Sequence, residues 1–170
     1  MAIQPAYSQA ILDGRKLVEF RKRPLAADVR TVLIYESAPT RRVVGFFTIG
    51  QTVRSSPSAL WAQFGTVGCI SRSRFRTYYA GTTEAFGIVV EEATRLPEPI
   101  ALADLSIQPT VPQSFAYLPA SVLAELGSQT RPARLPDWAM QEARRIPQRL
   151  LTGLARPSLR CRTRSLAHEE

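Results

Sequence analysis

The run Gly14-Arg15-Lys16-Leu17-Val18-Glu19-Phe20-Arg21-Lys22-Arg23 narrows the folding options of this chain more than any other, because five of its ten residues are cationic and one carboxylate, Glu19, sits among them. The ten residues from Pro5 to Gly14 carry the marks of a short helix. Pro5 suits a first helical position, Tyr7, Ala10 and Ile11 share a face, and Gly14 can take the left-handed conformation that ends a helix. The spacing then predicts a strand with Leu17, Glu19, Arg21 and Arg23 on one face and Val18, Phe20 and Lys22 on the other. A carboxylate and a guanidinium thus stand two residues apart on one surface, with Lys16 behind them at the turn. Two readings fit such a strand: a solvated edge whose charges discourage pairing, or the wall of a polyanion or ligand site.

The rest of the chain supplies the elements around that strand. Arg30 to Ser37 and Arg42 to Arg54 read as an antiparallel hairpin turned at Pro39 and Thr40, its second strand bent at Gly45 and Gly50, curling into a barrel. Ser56 before Pro57, and Ser71 before Arg72, are helix N-caps; Gly81 closes the second of these helices. Trp61 on the first reads as core. Ala85 to Glu92 is an apolar strand, and Pro97 and Pro99 should break Leu96 to Leu105 into edge-like pieces. The prolines of Pro109 to Pro119 make an ordered loop around Gln113 and Ser114, and Pro119 to Gly127 forms a last short helix.

Composition changes after Ser128. Residues 1–127 hold 13 basic and 10 acidic side chains, whereas residues 128–170 hold nine arginines against four acids, so most of the +8 charge lies in the tail. The tail reads as partly helical, with a basic helix over Asp137 to Leu154 interrupted at Pro147, and otherwise disordered. Of the 22 basic residues only Lys16 and Lys22 are lysines. Lys16 therefore stands out, since an ammonium can shift its pKa and a guanidinium cannot. No apolar run approaches the length of a membrane span and no signal segment opens the chain, so the sequence implies a soluble, cytoplasmic protein. Cys69 and Cys161 have no ligand-spaced partners, and Cys69 reads as a small buried hydrophobe, so no metal site and no cofactor are implied. With His168 as the lone histidine, Ser-His and Cys-His nucleophilic systems are excluded, and no glycine-rich phosphate loop is present.

Gly14-x-Lys16-x-x-Glu19-x-Arg21 resembles the G-x-K-x-x-E-x-R signature of the ASCH family (activating signal cointegrator homology), a branch of the PUA-like fold. Ile34 to Pro39, Val44 to Phe47, the Trp61 segment, Phe75 to Tyr79 and Pro112 to Leu118 are similar, in the same order, to bacterial and archaeal stand-alone ASCH proteins. The resemblance implies an α+β fold: a PUA-like mixed or antiparallel β-barrel with flanking short helices over residues 3–127, followed by a basic tail, 128–170. It also implies that the signature lines a cleft.

The residues left with usable chemistry are Lys16, Glu19, Arg21, Tyr35, Ser37, Gln113 and Ser114. They suit recognition of RNA or a modified nucleotide: Arg21 for a phosphate or base edge, Glu19 for an exocyclic amino group, Gln113 as donor and acceptor, Tyr35 as a stacking surface. The tail arginines would add non-specific contacts to nucleic acid. The resemblance also implies an enzymatic alternative, a hydrolase of nucleosides or RNA using Lys16 and Glu19. Family amidohydrolases acting on N4-acetylcytidine have a catalytic lysine at the position of Lys16 and a threonine where this chain has Glu19, and ribonuclease activity is attributed to other members. A third expectation is a transcription-associated regulator, although no helix-turn-helix is visible.

Overall fold

The computed structural model describes residues 1–127. The expected tail elements, including the helix from Asp137, and Cys161 and His168 lie outside the described residues. In chain order the elements are β1 (Ala2–Ile3), α1 (Pro5–Leu12), β2 (Val18–Arg21), β3 (Thr31–Glu36), β4 (Arg42–Ser55), α2 (Pro57–Phe64), α3 (Arg72–Tyr78), β5 (Ala85–Ile100), a 3-10 turn (Leu102–Asp104) and α4 (Ser121–Gly127). The class is α+β, as the sequence implied. None of the described helices is long and apolar enough to cross a membrane.

Local chemistry explains the boundaries. Gly14 ends the α1 turn at φ 69°, and Pro5 occupies the first turn. The Ser56 and Ser71 hydroxyls accept from Ala59 N (3.3 Å) and Arg74 N (3.2 Å), so both caps satisfy donors that a helix start leaves unpaired. β4 shifts register around Gly45 and Gly50, where bends were expected.

The five strands form one sheet in the order β1-β3-β4-β5-β2, with β1 parallel to β3 and the other pairs antiparallel. The ladder of the described residues does not close into a barrel. β1 contributes only two residues, too few for a ladder to the far end, and the Arg21 side chain at the end of β2 instead donates to the Ala2 carbonyl in β1 at 2.8 Å. A second correction concerns β5, which stays extended for 16 residues through Pro97 and Pro99, although its ladder to β4 passes from Arg95 to Ile100 with no partner for either proline. β2 covers only Phe86 to Val89 of it, so its later half is a sheet edge where a proline forfeits no ladder bond on that side.

Three apolar clusters hold the sheet. One packs Ile11 and Leu12 of α1 on Val32, Ile34, Phe47 and Ile88. A second joins Val18 and Phe20 of β2 to Leu60, Phe64, Phe75 and Tyr79. The third joins Tyr35, Val43, Leu96 and Leu105 to Val122 and Leu126 of α4. Trp61 packs on the second cluster, its ring 4.9 Å from Phe75, in keeping with a core role.

Candidate functional site

β2 divides its residues as alternation requires. Val18 and Phe20 enter the second apolar cluster, while Glu19 and Arg21 turn to the opposite face. That face is not solvated: Lys16, Glu19 and Arg21 are 2%, 6% and 9% exposed. The solvated-edge reading therefore fails for these three, whereas Arg15, Lys22 and Arg23 of the same run are exposed.

Glu19 holds both cations. Its Oε1 lies 2.8 Å from an Arg21 terminal nitrogen and its Oε2 3.4 Å from Lys16 Nζ. Lys16 also donates to the Gly68 carbonyl at 2.7 Å, and its ammonium sits 5.0 Å and 5.3 Å from the Phe20 and Tyr7 ring centres, an attractive arrangement for a desolvated cation. The backbone N–H of Lys16 is fixed to the Ala10 carbonyl of α1 at 2.8 Å. Burial pushes the Lys16 pKa down, and the Glu19 carboxylate beside it opposes that shift. A Cβ at Gly68 would collide with the Phe20 ring, so only glycine lets this carbonyl approach the lysine.

Arg21 is the hub. Its guanidinium reaches Glu19, the Ala2 carbonyl and, at 3.4 Å, the Ser114 hydroxyl; its own backbone carbonyl accepts from Tyr79 Oη at 3.0 Å. Arg21 Nε is buried without a hydrogen-bond partner among the described residues. The Met1 α-amino group donates to the Leu33 carbonyl at 2.8 Å; burial first, then Arg21, push its pKa down to about 5, against the pull of Glu19. Burial also pushes the Tyr79 phenol well up.

The structure thus brings together Lys16, Glu19, Arg21 and Ser114. Gln113 is exposed on the same loop, one residue before Ser114. Among the described residues Tyr35 and Ser37 make no hydrogen bond or ion pair to these four, although Tyr35 is the strand partner of Ala2, whose carbonyl Arg21 holds. Tyr35 is 5% exposed within the third apolar cluster, and the Ser37 N–H pairs with the Ile3 carbonyl at 2.9 Å. Ala2, Gly68, Tyr7 and Tyr79 were missed: two act through backbone carbonyls, which carry no sequence signal, and the tyrosines are visible only as members of amphipathic helices. Among the described residues no cluster of three or more His, Cys, Asp or Glu side chains could hold a metal ion.

A second buried carboxylate, Glu36, lies near the far end of α1. It accepts from the Ser8 hydroxyl, from Gln9 Nε2 at 2.7 Å and from the Thr40 hydroxyl at 2.5 Å. Burial raises its pKa, but these three hydrogen bonds and the Arg95 charge outweigh burial and hold it below the ordinary glutamate value. Every partner here is a neighbour in the fold, which marks a structural network.

No family model matches the chain. It is 31% identical over 136 residues to the ASCH domain-containing ribonuclease of Zymomonas mobilis, a match that spans 76% of this chain and 90% of that protein. It is 28% identical over 119 residues to the large ribosomal subunit protein uL22 of Ureaplasma parvum, across 69% of this chain but only 38% of that one. The crystal structure of the Zymomonas mobilis ASCH protein superposes with a TM-score of 0.70 at 29% identity, covering 78% of this chain and 94% of that chain. A tyrosine-to-phenylalanine variant of the same protein matches equally, with a TM-score of 0.70.

Proposed function

The chain belongs to the ASCH domain family, and on that premise we propose that it binds single-stranded RNA through the cluster of Lys16, Glu19, Arg21 and Ser114. The observation that carries this reading is the charge balance of a buried site: two cations share one carboxylate, and Arg21 keeps a buried N–H donor unused. Such a donor costs about 1–3 kcal/mol, and a phosphate oxygen that accepts from it recovers that cost. The ribonuclease name of the Zymomonas mobilis relative supports RNA as the polyanion. Residues 3–127 form the binding domain, and the arginines of 128–170 add sequence-independent phosphate contacts.

Titration of the full chain with a short fluorescent single-stranded RNA tests this. Gln113→Ala and Ser114→Ala, both at exposed positions, should weaken binding several-fold at unchanged melting temperature, and Arg21→Ala by about tenfold or more. Truncation after Gly127 should make the salt dependence shallower, by a slope of about 0.7 for every phosphate that the tail had neutralised, while leaving ligand selectivity intact. Unchanged binding in all three substitutions would overturn the proposal.

A second reading is RNA cleavage, favoured by the relative's name and by the burial-lowered pKa of Lys16, which makes a neutral amine accessible nearer neutrality than in an ordinary lysine. In it Lys16 accepts the proton of a 2′-hydroxyl while Arg21 holds the phosphate that the oxygen attacks; the P–O5′ bond breaks, leaving a 2′,3′-cyclic phosphate, and the departing 5′-oxygen takes a proton from water. Because Lys16 is 2% exposed, substrate must displace part of its wall first. Incubation of labelled RNA with wild type and Lys16→Met, followed by product analysis, decides it: identical cleavage by both, or none by either, removes this reading.

A further inference from the structure

Beside the charged cluster the fold opens a separate cleft of about 620 Å³, within the range of small-molecule sites. The two are neighbours through a pair of hydrogen-bonded residues. Ala2 donates its N–H to the Ser114 carbonyl at 2.8 Å and gives its own carbonyl to Arg21, while Met1 and Phe115, one residue away on either strand of chain, line the cleft. Its walls include Leu25, Val32, Leu118 and Val122. At its mouth stands Tyr117, 59% exposed yet held in place: its hydroxyl accepts from the Ala26 N–H at 2.9 Å and its ring meets Phe115 edge to face, centroids 5.8 Å apart. An aromatic ring that is both exposed and fixed is prepared to stack against a flat partner without first being ordered.

Two charged residues, Asp28 and Arg30, also line the cleft; both are exposed, and no ion pair among the described residues engages either. Their chemistry distinguishes bases. Guanine presents two adjacent donors, N1–H and the N2 amino group, that one carboxylate can accept, and two acceptors, O6 and N7, that one guanidinium can satisfy. Adenine has no adjacent donor pair, and uracil only one ring donor. We propose that this cleft takes one unstacked guanine of a single-stranded RNA, stacked on Tyr117 and read by Asp28 and Arg30, while the adjoining phosphate lies at Arg21. This rests on the RNA reading above and adds to it a base-selective subsite, which is absent from the signature residues themselves.

The test uses the full chain and three short oligouridines that are all-uridine, carry one central guanosine, or carry one central adenosine, compared by fluorescence anisotropy at fixed salt. The guanosine oligomer should bind about tenfold more tightly than the other two, a size expected for one bidentate base contact. Asp28→Ala, at an exposed position, should remove most of that advantage, whereas Tyr117→Ala and Arg21→Ala should weaken all three oligomers, because stacking and phosphate contacts do not depend on the base. Equal binding of the guanosine and adenosine oligomers by wild type, or a preference that survives Asp28→Ala, overturns the guanine subsite and leaves the RNA reading standing. Failure of every oligomer to bind overturns the RNA reading, and the subsite with it.

Discussion

Glu19 Oε1 lies 2.8 Å from the Arg21 guanidinium while the other oxygen of the same carboxylate lies 3.4 Å from Lys16, so one buried anion compensates two buried cations. Removing it by Glu19→Gln leaves both without a counter-charge. The expected cost is about 3–5 kcal/mol, the range for breaking one side of a buried ion pair. Lys16→Met added to Glu19→Gln should recover part of the loss, because one uncompensated cation is gone. Chemical denaturation of the wild type, the single variants and the double variant measures this coupling; strict additivity would show that Lys16 and Glu19 do not interact energetically.

Arg21→Lys should behave nearly as badly as Arg21→Ala. An ammonium on a flexible stem cannot span the Glu19 carboxylate, the Ala2 carbonyl and the Ser114 hydroxyl in the way that a planar guanidinium does. Amide exchange reports it locally, since the Ala2 N–H, paired with the Ser114 carbonyl, should exchange faster in Arg21→Lys than in wild type. Unchanged protection at Ala2 would mean that the guanidinium does not hold this edge.

At Gly68 even one methyl group should be felt. In Gly68→Ala the new carbon meets the Phe20 ring, and relief requires moving either a buried aromatic or the carbonyl that accepts from Lys16. A loss of about 1–3 kcal/mol is expected. Pairing the change with Phe20→Leu should restore part of it, which denaturation midpoints would show.

Glu36 gives a pH signature of definite sign. Its folded pKa lies below the ordinary 4.5, so the unfolded chain takes up a proton first as pH falls. Its contribution to stability is complete above that ordinary value and is lost as pH drops through the folded pKa. Glu36→Gln should therefore be less stable than wild type near neutrality, with the difference shrinking below about pH 4.5. A difference that stays constant across that window would show that the Glu36 pKa is the same folded and unfolded.

Much of the architecture was legible because it is written locally. Proline in the first turn, serine before the helix and glycine after it gave the helices, and alternation placed Val18 and Phe20 opposite Glu19 and Arg21. Alternation held in β3 too, with Val32 and Ile34 in one apolar cluster and Leu33 and Tyr35 at another, but where both faces of a strand are buried period two does not say which side faces a ligand. Pro97 and Pro99 do interrupt the pairing, since the ladder to β4 passes from Arg95 to Ile100 without a partner for either, but the backbone stays extended between them and β2 ends too early to need their missing N–H groups. The acceptor of Lys16 was out of reach altogether, being a main-chain carbonyl 52 residues away whose position depends on the completed loop.

The bond from Arg21 to the Ala2 carbonyl has a mechanical meaning. A seam stitched by a backbone ladder resists opening along its whole length, whereas this one is fastened at a side-chain clasp and the amide pair next to it. The same guanidinium is the group proposed above to receive a phosphate. In the proposed binding mode, a phosphate that competed with the Ala2 carbonyl for Arg21 would undo this clasp between the two outer strands, while the ladder from β1 to β3 would still hold the first strand.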